Sequence, residues 1–308
     1  MIEVMHQDPV YLALPDDELL ALACKADAVL EACSLCPRRC GVNRKKGELG
    51  FCGIASEAHV ASWGPHFGEE RPLVGRFGSG TVFFSGCNLG CIFCQNWTIS
   101  HGREGTFVSD AQLAQSMLDI QAMGCHNINL VTPTHQVPAI LRALVLAIRG
   151  GLIIPIVYNC GGYESPDTLR LLEGIVDIYM PDIKFMDNEY ARRYTDAEDY
   201  PVVVRHAMRE MHRQTGDLSI DCHGIARRGL LVRHLVMPDN ISGTGEAMRF
   251  LAEELSVNTY VNIMDQYHPC YKARDFSEIN RRITASEYKN AVRLAMQAGL
   301  RRIDGETT

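Results

Sequence analysis

The chain has 308 residues, 46% hydrophobic and 22% charged, with a formal net charge of −7. That composition is ordinary for a globular protein, and its acidic balance gives no general field for drawing in nucleic acid or an acidic membrane surface. Residues 1–14 lack the basic start and apolar block of a secretory signal. The longest apolar stretches, such as 141–148, are too short to span a bilayer, so a cytoplasmic location is expected.

Twelve cysteines are many for such a chain, and in a reducing compartment clustered thiols point to metal or redox chemistry rather than disulfides. Five fall between Cys24 and Cys52, three between Cys87 and Cys94, and Cys125, Cys160, Cys222 and Cys270 stand apart.

Taken in order, residues 16–32 read as a helix with Leu19, Leu20, Leu22, Ala23 and Ala26 along its apolar side. Cys33, Cys36, Cys40 and Cys52 follow as C-x2-C-x3-C-x11-C in a turn-rich segment. Four thiolates complete the set for a structural zinc or for a fully ligated iron–sulfur cluster, and the spacing leaves both open. Arg38, Arg39, Arg44, Lys45 and Lys46 accompany them, either offsetting thiolate charge from solvent or facing an acidic partner. Residues 57–80 read as loops and short strands. Residues 1–75 are thus expected to form a helix plus a cysteine-rich, metal-binding extension, and 76–308 the main domain.

From residue 81 the pattern alternates. Strands are predicted at 81–85, 127–131, 155–158, 175–180, 230–236 and 259–264. Helices lie between them: one from Ser109, which has capping-box spacing to Gln112, and others at 137–149, from Pro166, from about 187, at 200–214 and at 244–255. A last helix, capped by Thr284 and Glu287, stops before Gly299. Six strands alternating with helices call for a parallel sheet with right-handed crossovers. The predicted fold class is α/β, a partial (βα)6 TIM-like barrel with its site at the C-terminal ends of the strands.

Polar and glycine-rich residues recur at those ends. Cys87, Cys91 and Cys94 follow the first strand, Thr132-Pro133-Thr134-His135 the second, Asn159-Cys160-Gly161-Gly162 the third and Asp182-Ile183-Lys184 the fourth. Arg233 and His234 lie on the fifth, and Gln266-Tyr267-His268-Pro269-Cys270 follows the sixth. Three close thiolates could hold three corners of a four-iron cluster and leave its fourth iron open. Zinc with His101 as fourth ligand is the rival reading.

The motif Cys87-x3-Cys91-x-Phe93-Cys94 resembles the signature of the radical S-adenosylmethionine (SAM) superfamily, and the likeness extends over roughly residues 81–300. The N-terminal cysteine block, Thr132-Pro133-Thr134-His135-Gln136, Asp182-Ile183-Lys184 and Gln266-Tyr267-His268-Pro269 make the chain similar to a branch related to pyruvate formate-lyase activating enzymes. The resemblance implies a four-iron, four-sulfur (4Fe-4S) cluster on Cys87, Cys91 and Cys94, with SAM on the open iron. One electron then splits SAM into methionine and a 5′-deoxyadenosyl radical, which takes hydrogen from a substrate.

As partners the resemblance implies a reductant such as flavodoxin or ferredoxin and a glycyl radical enzyme or other protein substrate; neither nucleic acid nor membrane is expected. Thr134 and His135 stand where the family often carries Gly-Gly-Glu for the SAM amine. Asn159, Gly161, Gly162, Phe93, Asp182, Arg233, Gln266 and Tyr267 are the other candidate cofactor contacts. Lys184, Cys160 and Cys270 are the candidate catalytic side chains, the two thiols as donors or relays of hydrogen. Cys33, Cys36, Cys40 and Cys52 are expected to hold zinc or a second 4Fe-4S cluster. Two other functions stay open: radical modification of a small metabolite or peptide, and a non-catalytic iron–sulfur electron-transfer or sensor protein.

Overall fold

The computed structural model describes residues 8–304. Its sheet contains β1 (Ala58–His66), β2 (Ser79–Phe84), β3 (Thr106–Val108), β4 (Ile128–Val131), β5 (Ile156–Cys160), β6 (Ile178–Ile183), β7 (Ser219–Ile220), β8 (Ala226–Leu235), β9 (Tyr260–Met264) and β10 (Arg302–Asp304). The order is β10-β9-β8-β6-β5-β4-β2-β1-β3, with β7 paired to β8.

All six predicted strands are present as β2, β4, β5, β6, β8 and β9, each parallel to the next. Their spatial order follows the chain without reversal. Right-handed crossovers that never reverse return on the same side, so the helices collect on one face and the other face turns inward as a lumen. The ends of the strand path do not pair, and the barrel is partial.

Both capping boxes form, Ser109 with Gln112 ahead of helix Asp110–Ala122 and Thr284 with Glu287 ahead of helix Ala285–Gln297. The fourth strand starts three residues later than the sequence pattern suggests. Ile175 and Val176 are used to close the preceding turn, their amides donating to the Leu172 carbonyl. The Asp177 carboxylate then takes the amides of Val10 and Ile156, both at 2.8 Å. This shift places Asp182 inside β6 rather than after it.

Residues 8–75 are joined closely to the rest. β1 pairs antiparallel with β2 and β3, and β10 adds a parallel strand beside β9. Arg142 on helix Val137–Arg149 donates to Asp27 on helix Asp16–Ala28 and to Asp110, each at 2.8 Å. No helix among the described residues is long and apolar enough to cross a membrane.

Strand periodicity of two decides what faces the lumen. Phe83, Val131 and Asn159 lie in register across β2, β4 and β5, and Asp182, Arg233 and Asn262 across β6, β8 and β9. Two residues earlier on the strands come Val157, Met180 and Leu231, which form an apolar cluster with Ile178, Leu218, Ala226 and Leu73. Leu73 comes from the short helix Arg71–Val74 and is fully buried. Burying one leucine contributes about 2 kcal/mol. Here it also plugs the floor of the lumen, leaving a polar layer above it.

Candidate active site

Above that floor lies a cavity of about 560 Å³, bounded by the three-cysteine loop, the ends of β2, β4, β5, β6, β8 and β9, and residues 66–71. That volume is within the range of ligand sites. Cys87, Cys91 and Cys94 line it together with Phe93, Asn159, Cys160, Gly161, Asp182, Lys184, Arg233 and Gln266.

The loop is held from several sides. Phe93 is buried and packs edge-on against Phe185, with ring centres 5.8 Å apart, and tilted against Tyr267 at 6.3 Å. The Leu89 amide donates to Cys87 Sγ at 3.4 Å, and Ser100 Oγ lies 3.2 Å from Cys94 Sγ. His101 Nε2 is 3.0 Å from the Cys91 carbonyl, which can only accept, so that nitrogen carries the proton and Nδ1 keeps its lone pair. Burial pushes the Cys87 thiol up to about 12 and raises Cys91 as well, so a metal would displace protons on binding.

Opposite the thiols is a network of buried charge. Lys184 Nζ donates to Asp182 Oδ2 at 2.6 Å, and Arg233 donates through Nε to Asp182 Oδ1 and through Nη2 to Asn159 Oδ1, both at 2.7 Å. Burial alone would raise Asp182, but Arg233 and Lys184 outweigh it and hold the carboxylate below its ordinary value. Burial would likewise lower Lys184, and Asp182 overcomes it, so the ammonium stays charged. A Cβ at Gly161 would lie 2.9 Å from Leu89 Cδ1, so a side chain there would push the end of Leu89 aside. Thr132 also lines the cavity, with φ 59° and its amide on the Asn159 carbonyl at 2.8 Å. A β-branched residue in the left-handed region is strained backbone of the kind that surrounding structure must impose.

Five sequence candidates lie off the cavity wall. Thr134 is buried, its Oγ1 donating to Glu164 Oε1 at 2.7 Å, and His135 is buried with Nε2 donating to the Ser85 carbonyl at 2.7 Å. Burial takes His135 down to about 3, so it is neutral. Gly162 serves a tight turn at φ 78°, where a Cβ would meet the Asp182 carbonyl at 2.4 Å. Tyr267 spends its hydroxyl on the Ile279 carbonyl at 2.7 Å. Cys270 is near enough to feel the charge of Cys94, yet it is not part of the wall. Among the candidates for the SAM amine, then, Thr134 and His135 are taken up by packing.

Sequence reasoning missed Glu164. This fully buried carboxyl accepts from Thr134 and from Tyr158, the latter at 3.0 Å, and burial pushes it up to about 7. Burial raises Asp177 to about 7 too. A carboxyl whose folded value is raised stabilises the fold fully below its unfolded value, and that share is lost as pH rises through the folded value. The thermal midpoint should therefore fall between about pH 5 and pH 8, with Glu164 contributing on the order of 3 kcal/mol. Glu164→Gln should flatten this slope, leaving the share of Asp177; an unchanged slope would refute the assignment.

The N-terminal cysteines come together against this site. Cys52 feels the charge of Cys33 and Cys40, and Cys36 that of Cys33, Cys52 and Glu164. Among the described residues no three His, Cys, Asp or Glu side chains are set to hold one metal ion. Two of the basic residues expected in solvent are structural clamps. Arg44 is buried, donating to the carbonyls of Ala55 (2.6 Å) and His135 (2.8 Å), with Nη1 3.9 Å from Cys33 Sγ. Arg38 donates to the Asn88 carbonyl at 2.9 Å and to that of Asp196, stacking on Phe51. Asn88 lies inside the three-cysteine loop, so the extension braces that loop.

A family model described as the radical SAM superfamily matches residues 81–225, which contain all three loop cysteines. The chain belongs to the radical SAM superfamily. It is 33% identical over 284 residues, 89% of its own length and 77% of the relative's, to the uncharacterized protein MJ0674 of Methanocaldococcus jannaschii. A second protein of that organism, the uncharacterized protein MJ0808, is 24% identical over 79% of this chain and 72% of its own. Among solved structures, the crystal structure of a radical SAM methyltransferase from Sphaerobacter thermophilus aligns with a TM-score of 0.47 and 13% identity. That alignment covers 73% of this chain and 65% of the other, just under two thirds. As a radical SAM enzyme the chain uses a 4Fe-4S cluster and SAM to generate a 5′-deoxyadenosyl radical. The residues present fit both: three thiols on one cavity wall for the cluster, and fixed charges across from them for a zwitterionic ligand.

Proposed function

We propose that this radical SAM enzyme takes a hydrogen atom from a substrate group held inside the barrel cavity. The observation that carries the reading is the cavity itself, in which Cys87, Cys91 and Cys94 face Asp182, Lys184 and Arg233 across one space. The bound cluster and SAM supply one electron's worth of bond cleavage and the adenosyl radical. Cys87, Cys91 and Cys94 would hold the cluster. Lys184 and Arg233 would hold the SAM carboxylate, with Asp182 keeping the two cations apart and oriented. Asn159 and the strained Thr132 bound the same end of the space.

Cys160 lines the cavity, and its thiol, raised by burial and by Glu164, stays protonated. Its side chain alternates with that of the lumen-facing Asn159 and bonds Glu164, so hydrogen donation by Cys160 would require the thiol to turn into the cavity. The electron would come from a low-potential donor such as flavodoxin or ferredoxin. Activation of a glycyl radical enzyme is a narrower proposal, and of its motifs Thr134, His135 and Tyr267 are used in packing while Asp182 and Lys184 face the SAM end. None of these five selects a protein substrate, so the cavity favours a small molecule or a side chain that can enter it. For the N-terminal block we favour a second cluster over zinc. A second cluster would relay electrons to the first, and the buried Arg44 beside Cys33 would offset the negative charge of either group.

Lys184→Met tests the placement of SAM. Losing a charge-assisted hydrogen bond of about 1.5–3 kcal/mol should weaken SAM binding roughly 10- to 100-fold while iron content stays the same. A SAM affinity equal to that of the unmodified protein would contradict it.

A further inference from the structure

Residues 66–74, read from sequence as a linker, run into the lumen. Their position follows from two anchors: Leu73 plugging the apolar floor, and the Asn127 side chain donating to the Leu73 carbonyl at 3.0 Å. This places Glu69 and Glu70 on the cavity wall with Arg233 and Asn262. Glu69 Oε2 lies 3.7 Å from Arg233 Nη1, and Glu69 Oε1 lies 3.4 Å from His66 Nδ1 without hydrogen-bond geometry. Glu70 is 6% exposed; its Oε1 accepts from Asn262 at 2.9 Å, and its Oε2 is buried with no partner.

The charges leave a deficit of cation here. Asp182, Glu69 and Glu70 are faced by Arg233 and Lys184, and both cations are already hydrogen-bonded to Asp182. Arg71 and Asp304 also line the cavity and cancel in formal charge. A buried carboxylate oxygen without a donor is costly. The cost disappears when a ligand brings a positive nitrogen to it.

We propose that Glu69 and Glu70 form the substrate subsite of the cavity and receive a cationic nitrogen, an alkyl ammonium or guanidinium. The carbon chain bearing it would then extend toward the three-cysteine loop, where hydrogen is abstracted. This rests on the function proposed above and adds the substrate's chemical class. The subsite is assigned to the substrate rather than to SAM because the short hydrogen bonds of Lys184 and Arg233 go to Asp182 and Asn159, and Glu69 meets Arg233 only through Nη1 at 3.7 Å.

Calorimetric titration of anaerobically reconstituted protein, with SAM present, tests this with N-acetyl-lysine methylamide, n-butylamine and the neutral N-acetyl-norleucine methylamide. The lysine probe should bind at least about 10-fold more tightly than the norleucine probe, as one charge-assisted bond requires. Glu70→Gln should remove that preference, and Glu69→Gln serves if the first variant does not fold. A lysine probe tighter than butylamine points to a side chain as substrate, and equal affinities to a free amine; both sustain the proposal. No binding of either cation, equal affinity for the lysine and norleucine probes, or a Glu70→Gln variant that loses SAM as strongly as it loses amine would overturn it. Titration of unmodified protein with SAM alone tests the underlying function separately, since failure there leaves the amine result to stand by itself.

Discussion

Replacing Cys87, Cys91 and Cys94 together by alanine is expected to abolish 5′-deoxyadenosine formation and to remove about four irons per chain. The three thiols share the cavity wall with one other cysteine, Cys160, whose thiol is held protonated beside Glu164. No other set on that wall can replace them. A metal held as proposed by Cys33, Cys36, Cys40 and Cys52 should survive the triple substitution, because those thiols belong to a separate segment held by Arg44. Iron analysis and a 5′-deoxyadenosine assay on the same preparation read both effects. Product from the triple variant would show that the loop is not the redox corner, and complete loss of metal would show that the N-terminal block is not an independent site.

Asp182→Ala should carry the largest cost to stability. It leaves Lys184 and Arg233 buried at 16% and 17% side-chain exposure with their shared carboxylate gone. Removing one partner from a buried ion network costs about 3–5 kcal/mol, so the urea midpoint should fall sharply and SAM affinity with it. An unaltered midpoint would mean that the network is solvated in the working protein. The contrast with Lys184→Met is informative, since that variant removes a cation and leaves Asp182 paired to Arg233.

The barrel was legible because it is written in local periodicity. Short apolar runs between capping signals such as Ser109 with Gln112 and Thr284 with Glu287 mark the strands and helices without reference to anything distant. The loop cysteines were legible for the same reason, three ligands within eight residues. Less visible was the difference between a residue at a strand end and a residue facing the lumen. Thr134 and Tyr267 follow strands and turn into packing, whereas Asp182, Arg233 and Asn262 share a face because the register of β6, β8 and β9 aligns them. The segment carrying Glu69 and Glu70 gave no sign of its role. Its sequence is that of a polar linker, and only the tertiary placement of Leu73 draws it into the barrel. Arg38 and Arg44 looked like solvated charge for a similar reason, since their partners are backbone carbonyls that no side-chain pattern announces.

The most direct measurement of the account is SAM cleavage by the anaerobically reconstituted, dithionite-reduced protein with its iron counted. The account predicts 5′-deoxyadenosine and methionine in equal amounts from protein carrying at least about four irons per chain. Fully loaded protein that leaves SAM intact would contradict it.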